Sequence, residues 1–455
     1  MMDKLGEECG IFGIYDPDNN VARTVYYGLV SLQHRGQESC GIAVNQNRDI
    51  YHHKGKGLVN DVFNDKKIID GLQGNMAVGH VRYSTAGGSG VENAQPLVLR
   101  YIKGNLAIAH NGNLRNTAEL KSEYERTGAI YQTNSDTEII AYTIARQRII
   151  APSIQDAVNN SMEILKGSYS MVIMSPQKLI AARDPWGLRP LVMGRKKNAI
   201  IFASESCAFD AVGADYERDI LPGEIVVVKN GEVTSIKTHC GKEKSSFCIF
   251  EYIYFSRPDS HINGQLVYDS RKLAGAILAK EHPVDADVVI GVPDSGIPAA
   301  VGYAKASGIE YGEGFVKSRY IGRTFIQPEQ ADREIAVRMK LNPIRSTVYG
   351  KRVVMVDDSI VRGTTCAYIV GILRKAGAKE VHVRISSPPF LWPCYYGTDI
   401  PSRNQLVAFS NTLDQTRKLI NADSLGYMSI ESLKDIAPNA NCGFCDACFT
   451  GNYPI

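Results

Sequence analysis

The sharpest chemical signal in the chain is the string Val353-Val-Met-Val-Asp-Asp-Ser-Ile-Val-Arg-Gly-Thr-Thr365. An apolar strand ends in two adjacent carboxylates, Asp357 and Asp358. A short loop with Ser359, Gly363, Thr364 and Thr365 then leads into a helix. Free backbone N–H groups and the helix dipole favour a phosphate at such a turn, and glycine allows close approach. Paired aspartates beside it suit vicinal hydroxyls, held directly or through Mg²⁺. Together these parts fit a ribose 5-phosphate. A solvated strand-to-helix turn with a capping aspartate would account for Asp-Asp alone, but poorly for the whole string.

A second constellation lies in the first half. Cys9-Gly-Ile-Phe-Gly is followed by Leu32-Gln-His-Arg-Gly-Gln-Glu-Ser39, His80-Val-Arg-Tyr-Ser-Thr-Ala-Gly87, His110-Asn-Gly-Asn113 and Ser135-Asp-Thr-Glu138. A lone cysteine near a strand is more often buried and inert. Its company makes the difference here. An arginine can clamp a carboxylate bidentately, an aspartate can receive an α-ammonium group, and an asparagine amide beside a glycine N–H makes an oxyanion pair. A thiol with these partners amounts to an amidase for an amino-acid side chain.

A third cluster is Cys442-x-x-Cys445-x-x-Cys448. With distant Cys248 and Cys394, two of its thiols would complete a four-cysteine site. Such a set binds Zn²⁺ or an iron–sulfur cluster, and spacing alone does not choose between them.

The elements that must position these groups differ between the two halves. Strand-like runs in the first include Gly10–Tyr15, Gly41–Val44, Met76–Val81, Leu106–His110, Ser168–Met174, Leu179–Ala182, Ile200–Ala203 and Ile225–Lys229. Ser135 with Glu138 predicts a capping box opening a helix to about Ile150, and Ser153 with Asp156 opens another. This order suggests stacked sheets covered by helices. In the second half strand, loop and helix alternate: Asp287–Val292 then Ile297–Ala306, Arg352–Val356 then Thr365–Ala376, then Val381–Ile385. That alternation implies a parallel sheet with sites at the strand carboxyl ends. The polar stretch Thr238–Ser246 marks the seam.

With 455 residues the chain can bury ample core, and 44% hydrophobic with 22% charged residues excludes wholesale disorder. Lys plus Arg number 51 against 48 Asp plus Glu, a net +3 that gives no global pull toward nucleic acid or anionic membrane. No apolar run reaches the roughly 18 residues of a membrane span. Met1–Glu8 has no apolar core of a secretory signal, so the expected compartment is the cytoplasm. Ten cysteines in such a chain argue for metal ligation in the tail rather than a disulfide framework.

The Val353–Thr365 string resembles the PRPP-binding motif of type I phosphoribosyltransferases. The resemblance implies that Asp357 and Asp358 bind the ribose hydroxyls and metal, and that Ser359, Arg362, Gly363, Thr364 and Thr365 cradle the 5-phosphate. Gly291-Val-Pro-Asp-Ser-Gly-Ile-Pro298 is similar to that family's pyrophosphate loop, with Ser295 near the Mg²⁺. Lys317-Ser-Arg-Tyr-Ile-Gly-Arg323 is similar to its mobile lid, with Lys317 and Arg319 toward pyrophosphate; on residues alone the same charges also suit an exposed basic loop.

The first-half strings resemble the class II glutamine amidotransferases, whose glutaminase domain is an N-terminal-nucleophile hydrolase. Carried over, Cys9 is the nucleophile once residues 1–8 are removed, its own α-amino group serving as general base. Arg82 and Asp136 would bind the glutamine α-carboxylate and α-amino groups, Asn111 and Gly112 would form the oxyanion hole, and Thr85 would support the substrate.

Joined on one chain, the halves resemble the amidophosphoribosyltransferase family, in its iron–sulfur, propeptide-bearing branch. That implies an αββα sandwich over residues 9–240, after a propeptide of residues 1–8, and a type I phosphoribosyltransferase parallel sheet with a cysteine-rich tail over 241–455. It implies Mg²⁺, a [4Fe–4S] cluster on Cys248, Cys394, Cys445 and Cys448, with Cys442 extra, and glutamine and PRPP as substrates. It also implies inhibition by purine nucleotides and a homotetramer, with neither nucleic acid nor membrane as partner. A PRPP-sensing regulator with a dead first half would lack the nucleophile or the clamp, and Cys9, Arg82, Asn111 and Asp136 are all present.

Overall fold

The computed structural model describes residues 9–83, 90–318, 341–398, 400 and 402–455. Thirteen strands build the first half: β1 (Gly10–Tyr15), β2 (Ser39–Gln46), β3 (Asp49–Lys56), β4 (Met76–Arg82), β5 (Leu97–Tyr101), β6 (Gly104–Leu114), β7 (Gly167–Met174), β8 (Leu179–Arg183), β9 (Val192–Lys196), β10 (Ala199–Ala203), β11 (Asp215–Asp219), β12 (Ile225–Lys229) and β13 (Glu232–Ile236). They form two sheets, ordered β11-β9-β10-β1-β4-β2-β3 and β13-β12-β8-β7-β6-β5. The pairings within both are antiparallel.

Side-chain alternation explains the layering. In β1, Ile11 faces the other sheet, whereas Phe12 and Ile14 face the helices α1 (Ala22–Ser31), α2 (Val59–Val62), α3 (Lys66–Gly71) and α7 (Cys207–Val212). In β7, Val172 and Met174 face inward, while Tyr169, Met171 and Ile173 meet α4 (Thr117–Glu125), α5 (Asp136–Ile150) and α6 (Ile154–Ile164). Burial on both faces makes such strands continuous apolar runs, which is why the sequence displays them. Edge strands β3, β11 and β13 carry exposed residues at alternate or more frequent positions and lack that signature.

The second half is built on a parallel sheet, β17 (Val288–Gly291), β20 (Arg352–Asp357), β21 (Glu380–Ile385) and β22 (Ser424–Tyr427), in that order. Between the halves come β14 (Phe247–Cys248) and the small hairpin of β15 (His261–Ile262) and β16 (Gln265–Leu266). Asn263 and Gly264 supply the left-handed conformations its two-residue turn requires, with φ of 50° and 85°. A further ribbon pairs β18 (Phe315–Lys317) with β19 (Leu341–Pro343). Helices α8 (Val267–Glu281) and α9 (Gly296–Ser307) pack on each other and on one face of the parallel sheet, and α10 (Thr364–Lys375) packs on the other face.

At the seam β14 pairs in parallel with β23 (Phe444–Cys445), Phe247 opposite Phe444 and Cys248 opposite Cys445, and the Ser246 and Cys248 N–H groups donate to the Trp186 and Leu188 carbonyls of the first half at 2.8 and 3.2 Å. The segment Glu251–Phe255 that follows is a π-helical turn, fully buried but for Tyr254. One local expectation is corrected. Ser135 caps α5 by accepting from the Thr137 N–H at 3.3 Å rather than from Glu138. Glu138 reaches back past the cap, its carboxylate accepting from the Gln132 and Thr133 N–H groups at 3.0 and 2.7 Å. The tight entry loop Gln132–Ser135, not a capping box, closes the helix start.

Helices α8 and α9 cross at glycines. A Cβ at Gly275 would lie 1.7 Å from the Ala299 carbonyl oxygen, and one at Gly302 would lie 1.9 Å from that of Lys272. Gly371 in α10 has open space instead. Gly275→Ala should therefore destabilise the protein by on the order of 3 kcal/mol through overpacking. Gly371→Ala should stabilise it by about 0.5–1 kcal/mol through helix propensity. Urea unfolding midpoints of the two variants check the opposite signs.

Candidate functional site

Cys9 stands immediately before β1. Gly10 lies opposite Val81 across the β1–β4 pair, so Cys9 meets the end of β4, where Arg82 stands. The half-buried Cys9 thiol donates to the Tyr83 carbonyl at 3.6 Å. Arg82 is buried, its guanidinium 3.7 Å from the Glu38 carboxylate. Glu38 also donates its N–H to the Arg82 carbonyl at 3.1 Å. Glu38 lies inside the Leu32–Ser39 string but was not singled out by the sequence.

Asn111 is fully buried on β6, and among the described residues neither its amide nitrogen nor its amide oxygen has a hydrogen-bond partner. An unpaired buried amide is costly unless a ligand will meet it. Gly112 beside it has φ of 146°, and a Cβ there would lie 2.2 Å from the Ser168 carbonyl oxygen, so only glycine fits. The pair can offer two donors to a developing oxyanion. Asp136 opens α5, at the positive end of the helix dipole. Its carboxylate accepts from the Leu114 N–H at 3.0 Å and lies 3.6 Å from the His110 ring. Burial pushes this carboxyl up, but the His110 ring and the Leu114 and Thr137 N–H groups outweigh it and hold the group below its ordinary value. Gln95 is a support the sequence did not reveal, its Oε1 accepting from the His110 N–H at 2.8 Å. Thr85, Arg319 and the segment 1–8 lie outside the described residues.

In the second half Asp357 ends β20, and Asp358 follows; both are 4% exposed. Asp358 accepts from the hydroxyls of Ser295 at 2.5 Å and Ser359 at 2.6 Å. Ser295 precedes α9, so the helix starts of α9 and α10 and the adjacent ends of β17 and β20 share one crevice. Gly363 takes φ of 88°, turning the chain into α10. Asp357, Asp358, Ser359, Gly363 and Thr365, among others, line a pocket there. Thr364 is exposed at the helix start, and Arg362 reaches away to Gln405 at 2.8 Å. Lys317, closing β18, pairs with Asp294 of the neighbouring loop.

Cys248, Cys394, Cys445 and Cys448 line a second pocket, together with Leu188, Arg189 and Tyr396. Cys442 does not line it. Burial pushes the Cys445 thiol up to about 12, so four thiolates there would need positive charge between them. The four thiols face one pocket, a soft donor set that suits zinc and an iron–sulfur cluster alike.

Residues 80–211 match the glutamine amidotransferase domain family, and residues 261–386 match the phosphoribosyl transferase domain family. Fold and sites thus define a glutamine amidotransferase joined to a phosphoribosyltransferase. The sequence is 48% identical to the amidophosphoribosyltransferase of Methanocaldococcus jannaschii, covering 98% of this chain and 97% of that protein. It is 51% identical to that of Bacillus subtilis, covering 99% and 94%. A solved structure of glutamine PRPP amidotransferase from B. subtilis, complexed with ADP and GMP, matches with a TM-score of 0.91 at 50% identity, covering 98% of this chain and 97% of that one. The chain belongs to the amidophosphoribosyltransferase family. Among the described residues no helix is long and apolar enough to cross a membrane.

Because the Asp136 carboxyl titrates below its ordinary value in the fold, its stabilising contribution is complete above the unfolded value of about 4 and lost as pH falls through the lower folded value. Asp136→Asn should therefore unfold at lower urea concentration than wild type near pH 6, with the gap narrowing below about pH 4. Urea midpoints measured across that range check the sign.

Proposed function

We propose that the chain converts PRPP, glutamine and water into 5-phosphoribosylamine, glutamate and pyrophosphate, the opening step of de novo purine synthesis. The observation that carries this reading is the fully buried Asn111 amide, unpartnered among the described residues, beside Gly112, in the sandwich whose register sets Cys9 next to Arg82.

Cys9, freed by removal of residues 1–8, attacks the glutamine amide through its thiol, its α-amino group taking the proton. Arg82 and Asp136 hold the amino-acid end, with Thr85 supporting it, and Asn111 and Gly112 receive the oxyanion. Ammonia leaves, and water hydrolyses the thioester at Cys9. Ammonia then reaches the second site shielded from solvent, where it would otherwise become ammonium, and attacks C1 of PRPP. Asp357 and Asp358 hold the ribose hydroxyls. Ser359, Arg362, Gly363, Thr364 and Thr365 hold the 5-phosphate, and Lys317 and Arg319 meet the departing pyrophosphate. Bound Mg²⁺, for which Asp357, Asp358 and Ser295 are the fitting oxygen donors, would neutralise pyrophosphate charge. The transition state has oxocarbenium character, so positioning and charge neutralisation supply most of the acceleration.

The four-cysteine cavity is proposed to hold one [4Fe–4S] cluster with a structural role. Cytoplasmic placement, a homotetramer and inhibition by purine nucleotides belong to the same reading, the last supported by the ADP and GMP in the B. subtilis relative's structure.

Cys9→Ser should abolish glutamine-dependent synthesis and leave ammonia-dependent synthesis largely intact, whereas Asp358→Asn should reduce both by on the order of 100-fold or more. Pyrophosphate release with each nitrogen donor measures this. Loss of both activities in Cys9→Ser, or full activity in Asp358→Asn, would refute the division of labour. No turnover by the wild-type protein would favour a PRPP-binding regulator. Protein purified without oxygen should contain about four irons per chain; one zinc per chain, or full activity without metal, would exclude the cluster.

A further inference from the structure

The Leu32–Ser39 string contains one residue whose environment the proposed chemistry has not used. Arg35 is 1% exposed. Its Nε donates to the carbonyl oxygen of Cys9 at 2.9 Å. Its Nη1 donates to Glu205 at 2.7 Å and to Glu251 at 2.9 Å, and its Nη2 donates to Glu251 at 2.8 Å. Glu205 belongs to the sandwich, just after β10, whereas Glu251 begins the π-helical turn beyond the seam.

We infer that Arg35 is a positioning residue for the Cys9 nucleophile and that Glu251, from the second half of the chain, completes its setting. This rests on the reading of Cys9 as the nucleophile. A guanidinium is a flat, rigid fork, so fixing two of its nitrogens on carboxylates fixes the direction of the third. That third nitrogen holds the carbonyl attached to the Cys9 Cα, and thereby the rotation of the backbone that aims the thiol and amine. The turn bearing Arg35 has no slack. A Cβ on Gly36 would lie 2.6 Å from the Arg82 carbonyl carbon, so the turn is wedged against the strand end that carries the clamp.

Glu251 is equally constrained. It accepts from the Ser256 hydroxyl at 2.5 Å and has Arg189 at 3.6 Å. The turn it sits on is pinned by Arg271, whose guanidinium donates to the carbonyls of Tyr252, Tyr254 and Ser256 at 2.9, 2.8 and 2.6 Å. Well-packed apolar residues would hold a seam as firmly at lower desolvation cost. A buried charged fork aimed at one carbonyl supplies direction, which apolar packing does not. The glutaminase site is thus aligned only when the second half is docked.

The test uses the full-length protein with saturating PRPP. Glu251→Gln keeps the shape and removes the charge. Its glutamine-dependent kcat should fall by about 10- to 100-fold, with the KM for glutamine within about threefold, because Arg82 and Asp136 are untouched. Ammonia-dependent synthesis should stay within about twofold. Should Glu251→Gln prove insoluble, Ser256→Ala removes a single hydrogen bond from Glu251 and should give the same pattern at about a two- to fivefold loss. The alkylation rate of Cys9 by iodoacetamide should fall in step. Parallel loss of both nitrogen-donor activities, or a change confined to the KM for glutamine, would show a merely structural seam and overturn the inference. Wild-type rates in both variants, with Cys9→Ser inactive toward glutamine, would overturn it alone. A Cys9→Ser protein that still used glutamine would overturn the nucleophile reading instead.

Discussion

Four charges are buried together where the two halves of the chain meet: Arg35 and Glu205 from the sandwich, Arg189 from the loop between β8 and β9, and Glu251 from beyond the seam. Removing such charges from water costs several kcal/mol each, and only close, hydrogen-bonded partners offset it. Arg35 meets that condition with two carboxylates and the Cys9 carbonyl. Glu205 meets it with His34, Ser260 and the Arg257 N–H as well. The network closes only when residues from both halves are in place. Much else follows from it: the position of Cys9 ahead of β1, the tightness of the turn at Gly36, and the π-helical turn that presents Glu251.

Both candidate sites exploit the same economy of strand ends. Cys9 precedes one strand and Arg82 closes its neighbour, while Asp136 starts a helix. Asp357 closes the central strand of the parallel sheet, and two helix starts flank it. Strand interiors are committed to packing on both faces, so chemistry is left to the residues where pairing stops. Asn111 and Gly112 are the exception, lying inside β6. There Gly112 takes a conformation and a closeness to Ser168 that no side chain would allow.

Legibility in the sequence follows the same physics. Strands covered on both faces, such as β1 and β12, read in the sequence as nearly unbroken apolar runs. Edge strands did not, because half of each faces water. The PRPP-loop residues were legible because they are contiguous, and the glutaminase motifs because each is a compact string. Gln95, Arg189, Glu251 and Arg271 were invisible for the opposite reason: each is defined by a partner distant in the chain. Glu138 has the local spacing of a capping box, but the entry loop offers its carboxylate better donors. Cys442 sits in the tail cluster by sequence yet outside the cysteine cavity, a separation no spacing rule conveys.

The parallel pair of Phe247–Cys248 with Phe444–Cys445 has a consequence for biosynthesis. Chains leave the ribosome amino end first, and domains fold as they emerge. The strands of the sandwich find all their neighbours within residues 10–236, so that half can form early. The seam must wait for a strand made almost two hundred residues after its mate. During that interval Phe247, buried in the apolar core of the finished molecule, lacks its partner strand. The charged face of Arg35 and Glu205 waits only for Glu251, about fifteen residues beyond the last strand of the sandwich. The charged network can thus close first, and the apolar strand pair last.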